Sequence, residues 1–103
     1  VIARHLGTGK DPDRILLAAH YDSRPRTDYA IDTAKQLEPI DGANDGASGV
    51  AVLLELANLF AMASPEIAVD LVLLDGEDWG RASDLDYYSL GAKALAQSGI
   101  RDR

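Results

Sequence analysis

A chain of 103 residues, 47% of them hydrophobic, can form one small domain with a real core and is too apolar to be disordered by composition. Its formal net charge of −7 leaves no basic stripe to displace counterions, which argues against a nucleic-acid partner. With no cysteine there is neither a disulfide framework nor a thiolate metal site, so any metal has to be held by His, Asp, Glu or backbone oxygen.

No stretch approaches membrane-spanning length, so no membrane partner is expected, and no basic-then-apolar leader opens the chain. Residues 1–3, Val-Ile-Ala, already look like strand, and residues 101–103 follow a helix abruptly; both ends suggest an excised piece. Residues 1–6 read as a short strand, closed by a dense cluster of turn residues at 7–13. Residues 15–19 form a continuous apolar run, the pattern of a strand buried on both faces. The first strand and this run are expected to form an N-terminal hairpin. A polar connection follows over 21–40, with Pro25 and Pro39 and no sustained period; a connection of this length in a small domain is usually functional.

Residues 42–49 read GANDGASG and lead into residues 50–61, whose apolar positions Val50, Leu53, Leu54, Ala57 and Phe60 share one helical face. Val52, Leu56 and Leu59 make a second stripe, so this helix is expected to be buried on most sides, with Ser48 as its N-cap. Ser64-Pro65 ends it. Residues 67–74 read as a second buried strand with Asp70 as its one charge, 80–86 as loop, and 88–98 as a helix stopped at Gly99. The fold class is α/β, a mixed sheet with a βαβ crossover, over a single partial domain spanning 1–103.

That order carries the functional argument. Ligands of such sheets bind beyond the carboxyl ends of the strands. His20 ends the first apolar run, Glu77 and Asp78 lie just past the second, and Asp45 sits on the loop entering the crossover helix. Three uses of the glycine-rich loop compete: plain helix entry, a phosphate cradle, or presentation of an acidic metal ligand. A phosphate loop wants a strand before it and a nearby cation, whereas Asp41 and Asp45 would repel phosphate. A calcium loop starting at Asp41 fails because its third and twelfth positions are Ala43 and Val52. His20 alone is as well explained as a satisfied structural histidine, and Glu77-Asp78 as solvated acids. Together they can divide labour, one acid binding metal and the other serving as a base. Asp22, two residues beyond His20, can accept from the imidazole and orient it from outside the ligand shell.

The stretches AHYDS at 19–23, GANDGASGVAVLLELA at 42–57, LLDGEDWG at 73–80 and YSLGAKALA at 88–96 resemble the zinc-dependent exopeptidase superfamily. The match is to metallopeptidase family twenty-eight, which includes aminopeptidases and glutaminyl-peptide cyclotransferases. The resemblance implies a partial zinc-exopeptidase (phosphorylase/hydrolase-like) fold and zinc as cofactor, one ion in cyclotransferases or two in aminopeptidases. It implies His20, Asp45 and Asp78 as metal ligands and Glu77 as the general acid/base; relatives often carry Glu at the position of Asp78. RPRTD in the long connection and DGEDWG look most like bacterial relatives of the cyclotransferase branch. Trp79 then lines the substrate pocket or packs in the core. Arg24 and Arg26 reach a substrate carbonyl or a loop carboxylate, or, the preferred reading, are solvated.

The family also needs a further Asp and a late His, both beyond the equivalent of Arg103, so the chain is expected to carry about half of a site. The function implied is zinc-dependent hydrolysis of N-terminal peptide bonds, its partner a peptide with a free N-terminus. Glutaminyl cyclisation with ammonia release is the alternative, and a noncatalytic α/β module the reading from another class. Relatives are commonly exported, which makes a periplasmic or extracellular location the expectation.

Overall fold

The computed structural model of the protein describes residues 1–10, 13–28, 30–81 and 83–99. Asp11 and Pro12 of the expected turn, Ala82 of the expected loop and residues 101–103 lie outside the described residues. Strands β1 (Ile2–His5), β2 (Arg14–His20) and β3 (Ala68–Leu74) form one mixed sheet, with helices α1 (Ala47–Met62) and α2 (Leu90–Ser98) following β2 and β3. Short 3-10 turns at Thr33–Lys35 and Leu85–Tyr87 interrupt the two connections.

The sheet order is β1-β3-β2, which corrects the expected hairpin. β1 runs antiparallel to β3, from Ile2 opposite Val72 to His5 opposite Val69, so the first two strands are not neighbours. The reason lies in the link between them. Thr8 and Gly9 donate backbone hydrogen bonds to the carbonyls of Pro65 and Glu66, at 3.0 and 2.8 Å, carrying the chain across the entry to β3 instead of straight back. A Cβ at Gly7 would collide with the Glu66 carbonyl, so this crossing needs glycine.

β2 and β3 pair in parallel, from Arg14 opposite Ala68 to His20 opposite Leu74, with α1 in the connection. Their carboxyl ends are therefore level. β3 takes the centre because it is the most apolar strand; Val69, Asp70, Leu71 and Val72 are all buried. Leu53 of α1 packs with Val69 and Leu71, and Leu17, Ala19, Leu56, Ala57 and Phe60 surround them.

The expectation that β2 is buried on both faces does not hold: Ile15 and Leu16 are each 43% exposed. Nor is α1 buried on most sides, since Val52, Leu54 and Leu59 face outward. The buried face of α1 is narrower than its apolar pattern indicates: Leu53, Leu56, Ala57 and Phe60 meet the sheet, whereas Leu54 of the first stripe and Val52 and Leu59 of the second do not.

The charge on β3 is neutralised across all three strands. Asp70 accepts from Arg4 Nε of β1 and Arg14 Nε of β2, each at 3.0 Å. Burial alone would push the Asp70 carboxyl up, but the two arginines outweigh it and hold it below the ordinary aspartate range.

α1 starts earlier than its apolar pattern indicates, and Gly46, not Ser48, is its N-cap. Gly46 has φ of 90°, and Ser48 lies inside the first turn, donating to the Asn44 carbonyl at 2.6 Å. α2 starts later than expected, because Tyr88 is extended and Ser89 occupies the left-handed region at φ 54°. Gly99, also left-handed, ends it as expected. No helix among the described residues is long and apolar enough to cross a membrane.

Candidate metal and acid-base site

Three segments meet at the level ends of β2 and β3. His20 is the last residue of β2, residues 75–78 follow β3 directly, and Asp45 precedes the N-cap of α1. The acidic loop is docked by the entry to α2: the amides of Ser89, Leu90 and Gly91 donate in turn to the carbonyls of Glu77, Gly76 and Asp75, each at 2.9 Å.

His20 Nδ1 lies 3.1 Å from the Asp22 backbone carbonyl and 3.5 Å from Asp22 Oδ1. These acceptors assign the ring proton to Nδ1 and leave the Nε2 lone pair outward in the neutral ring. Nε2 stands 3.2 Å from Asp45 Oδ1. Two lone pairs at that distance repel unless a proton or a cation lies between them. Two ligands of one tetrahedral zinc, each about 2.0–2.1 Å from it, stand about 3.3 Å apart, so the pair fits zinc. His20, Asn44, Asp45 and Gly46 line an open cleft of about 470 Å³.

Asp22 does more than orient His20. Its Oδ1 accepts from the Glu77 amide and its Oδ2 from the Asp78 amide, both at 3.0 Å, tying the end of β2 to the acidic loop. Burial pushes this carboxyl up, but the two amides and the His20 ring more than offset that, and it sits below the ordinary aspartate range.

Asp78 is buried, at 4% exposure. Its Oδ1 takes a 2.9 Å hydrogen bond from Arg24 Nη1, whereas Oδ2 is buried with no hydrogen-bond partner. Burial pushes the Asp78 carboxyl above the ordinary range; Arg24 and His20 pull it back, and the charges of Asp45 and Asp22 oppose them. An orphaned buried carboxylate oxygen is costly, and a metal ion is one way to satisfy it. Among the described residues no three His, Asp or Glu side chains form a complete metal-binding group. What is present is one converged pair, His20 and Asp45, and one buried acid with an open oxygen.

Glu77 is half-buried, and its Oε1 lies 3.5 Å from Ser89 Oγ. Trp79 is 53% exposed, which excludes core packing, and shares a cleft of about 200 Å³ with Arg26, Arg81, Asp84 and Tyr87. The preference for solvated arginines is wrong. The Arg24 and Arg26 side chains are only 16% and 18% exposed; Arg24 binds Asp28 and Asp78, and Arg26 lies against Asp28 and the Trp79 carbonyl. From sequence, Tyr88 and Ser89 only open a helix and have no role at the site. Their part depends on a chain reversal after residue 80 that no local pattern announces.

Fold and site together define an α/β chain with a metal-type donor set at the carboxyl edge of a parallel strand pair. The model of peptidase family M28 matches residues 1–102, and the chain belongs to that family. It is similar to a probable zinc metalloprotease of Pyrenophora tritici-repentis, 40% identical over 100 residues that cover 94% of this chain and 20% of the relative. Among solved structures it resembles a Zn-dependent exopeptidase from Parabacteroides distasonis, with a TM-score of 0.84 at 35% identity, covering 96% of this chain and 35% of that one. It also resembles Porphyromonas gingivalis glutaminyl cyclase, with a TM-score of 0.83 at 36% identity over 96% of this chain and 34% of that one. The chain spans 13–20% of the length of the first curated relatives it matches.

Proposed function

We propose that this chain is the N-terminal portion of the catalytic domain of a zinc-dependent aminopeptidase-like hydrolase, acting on peptides with a free N-terminus. The observation that carries the reading is the pairing of His20 Nε2 with Asp45 Oδ1 at 3.2 Å; the unpartnered Oδ2 of buried Asp78, just past the end of β3, is a further open donor. Membership in family M28 and the zinc named in its relatives support it. His20, Asp45 and Asp78 would hold zinc, and further ligands would come from sequence outside this chain.

Bound zinc would supply Lewis-acid polarisation of the scissile carbonyl. The chain's own work is proton transfer and orientation. Glu77 takes a proton from the attacking water on its carboxylate as the water oxygen adds to the scissile carbonyl carbon, and it then gives that proton to the amide nitrogen as the C–N bond breaks and the amine leaves. Asp22 fixes Glu77 and Asp78 relative to His20 through the two amide hydrogen bonds. Trp79, half exposed at the cleft with Arg26 and Tyr87, borders the peptide.

A second reading is favoured by the likeness to glutaminyl cyclases. There the α-amine of an N-terminal glutamine attacks its own side-chain carbonyl, and Glu77 carries the amine proton to departing ammonia. Zinc-loaded protein offered aminoacyl substrates and a glutaminyl peptide separates the readings. Release of a free amino acid supports the hydrolase, and ammonia without peptide-bond cleavage overturns it in favour of cyclisation. Neither product, from protein that binds no zinc, leaves a noncatalytic module.

A further inference from the structure

We infer that Arg24 is a positioning residue for Asp78, fixing one carboxylate oxygen so that the other, Oδ2, is the one presented to a metal; this rests on the zinc reading above. Arg24 comes from the polar connection after β2, fifty-four positions from Asp78 in sequence. Its guanidinium is held on several sides. Nη1 donates to Asp78 Oδ1 at 2.9 Å, Nη2 donates to Asp28 Oδ2 at 3.2 Å and to the Tyr88 hydroxyl at 2.6 Å, and the group lies 5.6 Å from the centre of the Tyr88 ring. A planar fork held at these points gives the hydrogen bond to the Asp78 oxygen a defined direction.

The consequence concerns donor number. A free aspartate can offer either oxygen, or both, to a cation. Here Oδ1 is committed to Arg24, while Oδ2 is buried with no hydrogen-bond partner. Asp78 is therefore prepared as a one-oxygen ligand of defined direction, and a buried carboxylate is kept paired while no metal is bound. Tyr88 links the same guanidinium to the segment that enters α2, whose amides dock the acidic loop. Arg24 thus ties the long connection, the acidic loop and the α2 entry to the placement of one oxygen atom.

The test is the zinc dissociation constant, read by competition with a chelating dye, for wild type, Arg24→Met and Arg24→Lys, with the melting temperature of each zinc-free protein alongside. Outer partners of metal ligands typically change affinity roughly 10- to 100-fold, and Arg24→Met is expected to weaken zinc by that factor. Arg24→Lys keeps the charge but not the fork, and should recover part of the loss. Zinc affinity equal to wild type in folded Arg24→Met overturns the inference. Should that variant fail to fold, Tyr88→Phe removes one hold on the guanidinium; a few-fold weakening supports the inference, and unchanged affinity overturns it. Wild-type protein that binds no zinc brings down the zinc reading and the inference together, whereas an unaffected variant of a zinc-binding protein brings down the inference alone.

Discussion

The Asp22 carboxylate holds Asp78 by its backbone: Oδ2 accepts from the Asp78 amide at 3.0 Å while Oδ1 accepts from the adjoining Glu77 amide at the same distance. A single side chain at the end of β2 thereby sets the register of the acidic loop after β3. Replacing it with alanine orphans two partly buried donors, at a cost of about 1–3 kcal/mol each. Asp22→Asn keeps one acceptor and should fall between alanine and wild type. Urea denaturation of the three proteins checks the order; an alanine variant as stable as wild type would contradict it.

Gly46 gives a second, independent handle on the same corner. It has φ of 90°, and a Cβ there would lie 2.8 Å from the Asp22 carbonyl and 3.2 Å from His20 Cε1. Gly46→Ala should lose about 1–3 kcal/mol through backbone strain alone. It should also push His20 away from Asp45 and weaken zinc binding, which a mere stability defect elsewhere would not do. Thermal melts together with a zinc titration test both parts.

The rim was largely legible in the sequence, because two apolar runs joined through one helix are enough to level the ends of parallel strands. His20, Asp45 and Asp78 could be placed near one another from that alone. What was not legible lies in loops. Arg24 and Arg26 look solvated on a polar connection, and only the return of Tyr88 onto the Arg24 guanidinium and the pairing of both arginines with Asp28 make them internal. The hairpin expectation failed for a similar reason: the turn residues that end β1 bind Pro65 and Glu66, partners almost sixty positions away. Periodicity marked Leu53, Ala57 and Phe60 on the buried face of α1 but misplaced Leu54 and Leu56, and it missed the start, which a glycine conformation sets.

Asp70 contributes to acid stability. Its carboxyl lies below the ordinary value of 3.8, so the unfolded chain takes up its proton first as pH falls. The stabilisation from Arg4 and Arg14 is in full force above that ordinary value and is lost as pH drops through the folded one. At neutral pH Asp70→Asn should cost about 3 kcal/mol, the low end for breaking a buried pair, because both arginines are about a third exposed. The variant should also lose less stability than wild type between pH 5 and about pH 2. Equal acid slopes for the two proteins would contradict the assignment.

The central claim is the division of labour on the rim, with His20, Asp45 and Asp78 holding zinc and Glu77 moving the proton. Glu77→Gln tests it most directly, with zinc content and turnover measured on one preparation of the full-length protein. The account predicts zinc bound as in wild type and turnover reduced roughly a hundred- to ten-thousandfold, the range for losing a general acid-base group. Turnover retained, or zinc lost with the substitution, would contradict it.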